Sequence, residues 1–254
     1  MRKTGFVGTR WLGVGLAAAL AVFTISLAVT GRLGLYINPD STWFAVSMSV
    51  FVLIGAVASF ALPLGAEADH GHDHGEEPEH DHGHHTSHPL AVAATVAGGV
   101  AASGVVVLTL VLPPASLSAE LAMSRDVGAT PLFGGADTIQ LASTGDTASF
   151  GVGEWATVFA TATNPDAFDG ETVELTGFVT PGEGGEFDLT RLVITHCVID
   201  AQPASLPVVS GASVPDTGQW VTITGTVRSS SDGQLVVAAA AVEEIDEPED
   251  PYEY

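Results

Sequence analysis

Eight of the chain's nine histidines fall within nineteen residues: His70, His72, His74, His80, His82, His84, His85 and His88. Seven acids in Glu67–Asp81 interleave them, and no apolar residue occurs between Asp69 and His85. Neutral imidazole ligates zinc, nickel and copper, and carboxylates can complete such sets. The run has no cysteine and cannot bury a core. It therefore predicts a mobile, low-complexity segment that captures a divalent ion loosely, not a rigid catalytic cage. The competing reading is a solvated acidic linker whose histidines are only compositional.

A second group, Thr195-His196-Cys197-Val198-Ile199-Asp200, puts imidazole, thiol and carboxylate within five residues. On a straight strand His196 and Cys197 point to opposite faces, with Asp200 on the His196 side. Convergence of the three on a metal needs a turn or bulge near Cys197. The following Ala201-Gln202-Pro203 favours such a break, because proline disfavours a continuing central strand. Three roles for Cys197 stay open: a buried small hydrophobe, a metal or redox ligand, or a nucleophile with His196 as base. No oxyanion motif, phosphate loop or further catalytic group accompanies the last. The chain reads as a non-enzyme, and its single cysteine allows no intramolecular disulfide.

The elements that position these groups begin with three apolar stretches, Trp11–Val29, Trp43–Leu64 and Leu90–Leu112. Each meets the roughly 20 residues needed to cross hydrocarbon. The first exceeds the usual signal-peptide core and lacks a good small-residue cleavage site, so it reads as a retained anchor. Arg2, Lys3 and Arg10 precede it and only Arg32 follows, which predicts a cytoplasmic N-terminus. Three crossings then put the histidine loop inside and everything after Pro114 outside the plasma membrane. Gly98, Gly99, Ala94, Ala102 and Ser103 give the third span a small-residue face suited to close helix packing in lipid. No span holds an ionisable residue, which argues against this chain being a pore itself.

Beyond Pro114 the composition shifts. Ser116–Ala129 reads as a polar connector. Phe150–Thr163 is the one helical candidate, with Trp155, Val158, Phe159 and Ala162 on a single stripe that Asn164-Pro165 ends. Period-two alternation then predicts strands from Glu171 to Val179, over Phe187–Ile199, over Leu206–Ser210, over Trp220–Val227 and over Gln234–Ile245. Five short strands at this spacing fit a small all-β barrel of the oligonucleotide/oligosaccharide-binding (OB) type. From Ala119 onward 22 acids stand against Arg125, Arg191 and Arg228. That balance excludes a phosphate-binding surface and hence nucleic acid. The resulting division is 1–64 (two spans), 65–89 (histidine loop), 90–112 (third span), 113–165 (connector with one amphipathic helix), 166–245 (OB-like barrel) and 246–254 (a disordered acidic tail).

This order of parts resembles the YcgQ-like permease subunits, bacterial membrane proteins with N-terminal spans and an extracytoplasmic domain. The resemblance rests on Leu112-Pro113-Pro114-Ala115-Ser116-Leu117, on Phe168–Val179, on Leu192–Pro203 with His196-Cys197 and Asp200-Ala201-Gln202-Pro203, and on Trp220–Val227. A histidine-rich loop between the last two spans is also a habit of that family. The resemblance implies pairing with a larger multispan permease and a link to metal homeostasis. Members commonly show two adjacent cysteines where this chain has His196-Cys197. Histidine can replace thiolate on zinc, so metal binding survives that change and a dithiol redox role does not. The expected function is an accessory membrane subunit of a permease handling divalent metal. A stand-alone metal-binding or sensing membrane protein is the alternative, and an extracytoplasmic thiol enzyme a third class.

Loose capture makes a direct expectation. A 64–89 peptide should bind zinc or nickel with moderate affinity, because ordering the loop costs conformational entropy. Binding should weaken as pH falls through the imidazole pKa near about 6.5. Replacing all eight loop histidines with serine should abolish the calorimetric signal; unchanged heats would reduce the loop to a linker.

Overall fold

A computed structural model describes residues 3–61, 89–112, 115–117, 119–125, 147–182, 186–211, 213–230 and 233–254. The eight loop histidines lie outside these residues. The chain divides into two units: one combines residues 1–33 with 41–114, the other residues 34–40 with 115–254.

The first unit holds helices α1 (Lys3–Val29), α2 (Thr42–Ala61) and α3 (Pro89–Val111), with α1 packed against both others. Leu12 of α1 sits so close to Gly99 that a Cβ there would stand 2.5 Å from its Cδ2. That is the close approach small residues permit between helices. Among the described residues two helices, not the expected three, are long and apolar enough to cross a membrane, through Leu12–Val29 and Pro39–Ser59. In α3, a helix of 23 residues, the apolar stretch among the described residues is Ala97–Leu108. Only 11% and 6% of the two longer windows is buried, far too little for core helices of a water-soluble domain.

The second unit is built on a six-stranded mixed sheet. Its strands are β1 (Thr172–Pro181), β2 (Phe187–Val193), β3 (Gln202–Val209), β4 (Trp220–Ser229), β5 (Leu235–Ile245) and β6 (Tyr252–Glu253). They lie in the order β1-β4-β5-β3-β2-β6, and β1 also pairs with β2. The β3–β5 and β2–β6 pairings are parallel and the others antiparallel. Strand β1 changes partner midway: Thr172–Phe178 pair with β4 and Phe178–Pro181 with β2. Gly177 stands at that change, where a Cβ would lie 2.6 Å from the Thr190 carbonyl.

Alternation decides which face is buried. Val221, Ile223 and Val227 of β4 join Val173, Leu175, Leu189, Leu206 and Val237 in the main core. Helix α5 (Val152–Thr161) covers it. Its Trp155 is 1% exposed and meets Phe150, Phe159 and Phe168 edge to face. The stripe Trp155, Val158, Phe159, Ala162 is thus a packing stripe. A second cluster unites Phe178, Leu192, Ile194, Ala201 and Tyr252 with Ala122.

Three boundaries differ from the sequence reading. Strand β2 ends at Val193 instead of continuing to Ile199, because a turn follows it. Strand β3 begins at Gln202 and runs through Pro203 and Pro207. These prolines are tolerated because β5 pairs with β3 only at Val208 and Val209, leaving their side of the strand without a ladder. The connector carries a second helix, α4 (Ala119–Arg125), whose Ala122 is buried.

The tail is the largest departure, for its end is ordered. Tyr252 is 2% exposed and pairs with Leu192, and its hydroxyl accepts from the Leu117 N–H at 2.8 Å. The Glu253 carboxylate accepts from Val152 N–H at 2.9 Å and Gly153 N–H at 2.7 Å, capping α5. Arg191 donates to the Asp250 carbonyl at 2.5 Å, to the Tyr252 carbonyl at 3.3 Å and to the Thr176 carbonyl at 3.1 Å. Its guanidinium lies 5.6 Å from the Trp220 ring centroid. Net charge argues for disorder, but one buried aromatic and a helix cap outweigh it here.

Burial pushes the Glu253 carboxyl above the usual carboxylate range, although the two backbone N–H groups and Arg191 pull it down. A raised folded-state pKa favours folding below the unfolded value, and that contribution fades as pH rises through the folded value. Urea melts of the full chain should therefore show stability declining across that window. Glu253→Gln, which keeps an acceptor and drops the charge, should flatten the decline. Glu253→Ala should cost about 1–3 kcal/mol at every pH, by leaving two buried N–H groups unpaired.

Candidate functional site

The break expected near Cys197 is present. After β2 the chain bends through Thr195 and His196, extends at Cys197 and enters a 3-10 turn at Val198–Asp200 before β3. Asp200 organises this bend. Its carboxylate accepts from the backbone N–H of Thr195 at 3.2 Å, of His196 at 3.0 Å and of Cys197 at 3.2 Å. Successive N–H groups converging on one anion form a backbone nest, here filled by the chain's own side chain.

His196 Nδ1 lies 3.3 Å from Asp200 Oδ2, and the imidazole is 82% exposed. Cys197 is a half-buried free thiol. The structure thus brings His196 and Asp200 together. Among the described residues, however, no group of three His, Cys, Asp or Glu side chains is arranged to hold a metal ion. The physical reason lies in the carboxylate: its lone pairs are engaged by three backbone donors and an imidazole. Chemically, the bend offers one solvent-facing imidazole with a carboxylate behind it. That pair can exchange protons or give a single nitrogen to an ion completed from elsewhere.

What sequence reasoning missed is the clamp around this bend. The segment between α1 and α2 docks onto it. The Asn38 side-chain amide donates to the carbonyls of Ile194 at 3.4 Å and Thr195 at 3.1 Å, and the Asn38 N–H donates to the His196 carbonyl at 3.0 Å. The Val198 N–H donates to the Tyr36 carbonyl at 2.8 Å, and Ile37 bridges Cys197 in antiparallel fashion. Leu35 packs on the cluster containing Ile194 and Tyr252. From the other side Arg125 donates to the carbonyls of Val198 at 3.3 Å and Ala201 at 2.8 Å. The available signal was Asn38-Pro39-Asp40, an Asx-turn sequence: Asn38 Oδ1 accepts from the Asp40 N–H at 2.9 Å.

These contacts separate structural from functional residues. Asn38→Ala should speed amide exchange across residues 194–198 and lower stability by about 1–2 kcal/mol, because carbonyl partners are lost. Asp200→Ala should do the same or more. His196→Ala, at an exposed side chain, should leave stability within about 0.5 kcal/mol. A stability loss for His196→Ala as large as that for Asn38→Ala would contradict this division.

Family comparison places the DUF1980 N-terminal domain at residues 15–128 and the DUF1980 C-terminal domain at residues 154–254. No curated protein matches the chain.

Proposed function

We propose that this chain, which carries both DUF1980 domains, is an accessory membrane subunit of a permease that handles a divalent metal, zinc being the first choice. The observation that carries this reading is the uncovered apolar surface of the helices. Leu20, Val22, Phe51, Ile54, Val57, Val100 and Val105 all stand 47% or more exposed. A surface of that kind needs lipid, a partner's helices or both. Apart from Asp40 at the very start of Pro39–Ser59, the described spans hold no ionisable group on which to build a conduction path, so the multispan partner supplies the pore.

In this reading α3 is the third span, and the protein sits in the plasma membrane with its N-terminus and histidine loop cytoplasmic. One structural fact supports the arrangement. Residues 34–40, between α1 and α2, belong to the same unit as the sheet, so the two share a side of the membrane. An even number of crossings, α2 and α3, then separates them. The sheet reads as an OB-like barrel because β1–β2 pairing closes the ring β1-β4-β5-β3-β2, with parallel β3–β5 pairing. The histidine loop is the metal-collecting element on the inner face. His196 and Asp200, with Cys197 beside them, offer a second set of ligands that another protein would have to complete.

Gentle solubilisation followed by native mass spectrometry tests the proposal. The expected result is a stoichiometric multispan partner with bound zinc. The chain alone with metal would point to a stand-alone metal-binding or sensing protein, and neither partner nor metal would overturn both. For topology, a cytoplasm-active reporter inserted in residues 70–88 should be active and one fused after Tyr254 inactive. The reverse pattern, or agreement between the two, would refute the three-crossing arrangement.

A further inference from the structure

On the sheet's outer face, a pocket of about 180 Å³ opens between the ends of β1, β2 and β3, under α4. Its floor is a line of three hydroxyls. Thr180 Oγ1 lies 2.6 Å from Thr190 Oγ1, which lies 2.8 Å from Ser205 Oγ. Thr190 is 1% exposed and Thr180 7%. Pro181, Pro203 and Met123 supply apolar walls, and Asp188 adds a carboxylate.

Proton counting gives this line a particular property. If Thr180 donates to the Asp188 carbonyl at 3.4 Å, Thr190 donates to Thr180 and Ser205 to Thr190, so Ser205 Oγ presents lone pairs to the pocket. With the direction reversed, Thr180 donates to Thr190 and Thr190 to Ser205, and the Ser205 O–H points outward. Hydroxyl rotors switch between these patterns at no covalent cost. The pocket can therefore meet a group that both donates and accepts, which is the behaviour of an alcohol.

Other ligand classes fit less well. Asp188 and the chain's net charge of −23 oppose anions. Among the described residues no three metal-ligating side chains gather. The volume lies below that of drug-sized sites and suits a single small ring. Proline and methionine walls match the C–H faces of such a ring, while the hydroxyl line matches its O–H groups.

We infer that this pocket binds a neutral polyhydroxylated ring, a monosaccharide unit or its equivalent, through the Ser205 hydroxyl, whose direction the buried Thr190 and Thr180 set from behind. The inference goes beyond the permease-subunit reading and does not depend on it.

Saturation-transfer NMR on the full chain in phosphatidylcholine nanodiscs, free of glycosidic detergent, tests it. Glucose is the probe, with cyclohexanol and methylammonium as comparisons. The expected result is transfer to glucose with a dissociation constant on the order of a millimolar. Binding should weaken about tenfold in Ser205→Ala and in Thr190→Val, be retained in Thr190→Ser, and be absent for cyclohexanol. Three outcomes overturn the inference: no transfer to glucose, equal transfer to cyclohexanol, or glucose binding unaffected by Ser205→Ala. Methylammonium bound in place of glucose, and lost in Asp188→Asn, would make this a cation site and overturn it too. Thr190→Ser keeps the buried oxygen, and amide-exchange protection of β1–β3 matching the parent's in the valine variant separates lost recognition from misfolding; glucose binding lost only in variants that also lose that protection would overturn the inference.

Discussion

The sheet has a seam, and the acidic tail is what fills it. Strand β1 pairs with β2 only as far as Phe178↔Thr190 before turning to β4, so Leu192 and Val193 have β3 on one side and no β1 on the other. Strand β6 occupies that gap. An open edge there would expose unpaired backbone groups beside a buried cluster, a costly arrangement. From this position the tail holds other parts in place. Glu253 caps the helix over the main core, Tyr252 fixes the connector at Leu117, and the Tyr254 hydroxyl donates to the Gly34 carbonyl at 3.2 Å. Arg191 reaches across the same seam to carbonyls of β1 and of the tail. Among the described residues its buried Nε has no hydrogen-bond partner.

The neighbouring bend follows from the same geometry. A strand leaving a seam must turn, and the turn after Val193 needs its N–H groups satisfied. Asp200 supplies that from four residues ahead, and the segment from Leu35 to Asn38 satisfies the carbonyls. His196 is exposed because the backbone around it is occupied inwardly. A carboxylate that looks like a metal ligand in the sequence is here mainly the keystone of a turn.

Much of the fold was legible from local pattern. Alternation in Thr222–Val227 and the stripe from Trp155 to Ala162 identified their elements, because one buried face imposes a period on the residue types. The break after His196 was legible from Pro203, although that proline stands inside β3 on an unladdered edge. What stayed hidden depends on contacts distant in sequence. Nothing near Glu253 announces that it caps a helix a hundred residues earlier, and acidic composition pointed instead to disorder. Asn38 carried only a turn signal, and its partners lie more than 150 residues away. The short helix Ala119–Arg125 lacked length for a periodic signature and owes its place to Ala122 packing in the second cluster. The third apolar stretch does form one helix, the 23-residue α3, although the apolar part of it among the described residues is the shorter Ala97–Leu108.

The link between Gly34 and Tyr254 spans 220 positions, and this bears on how the molecule is made. Residues 34–40 leave the ribosome long before the strands they clasp, so they wait without partners while α2, α3 and most of the sheet are synthesised. Contacts this distant pay a large loop-closure cost before any stabilisation is returned, which slows folding. During that interval the edge of β2 stays open and able to pair with a neighbouring chain. The seam that gives the finished domain its unity is thus the last part to close, and the period before closure is when assembly is most exposed to error.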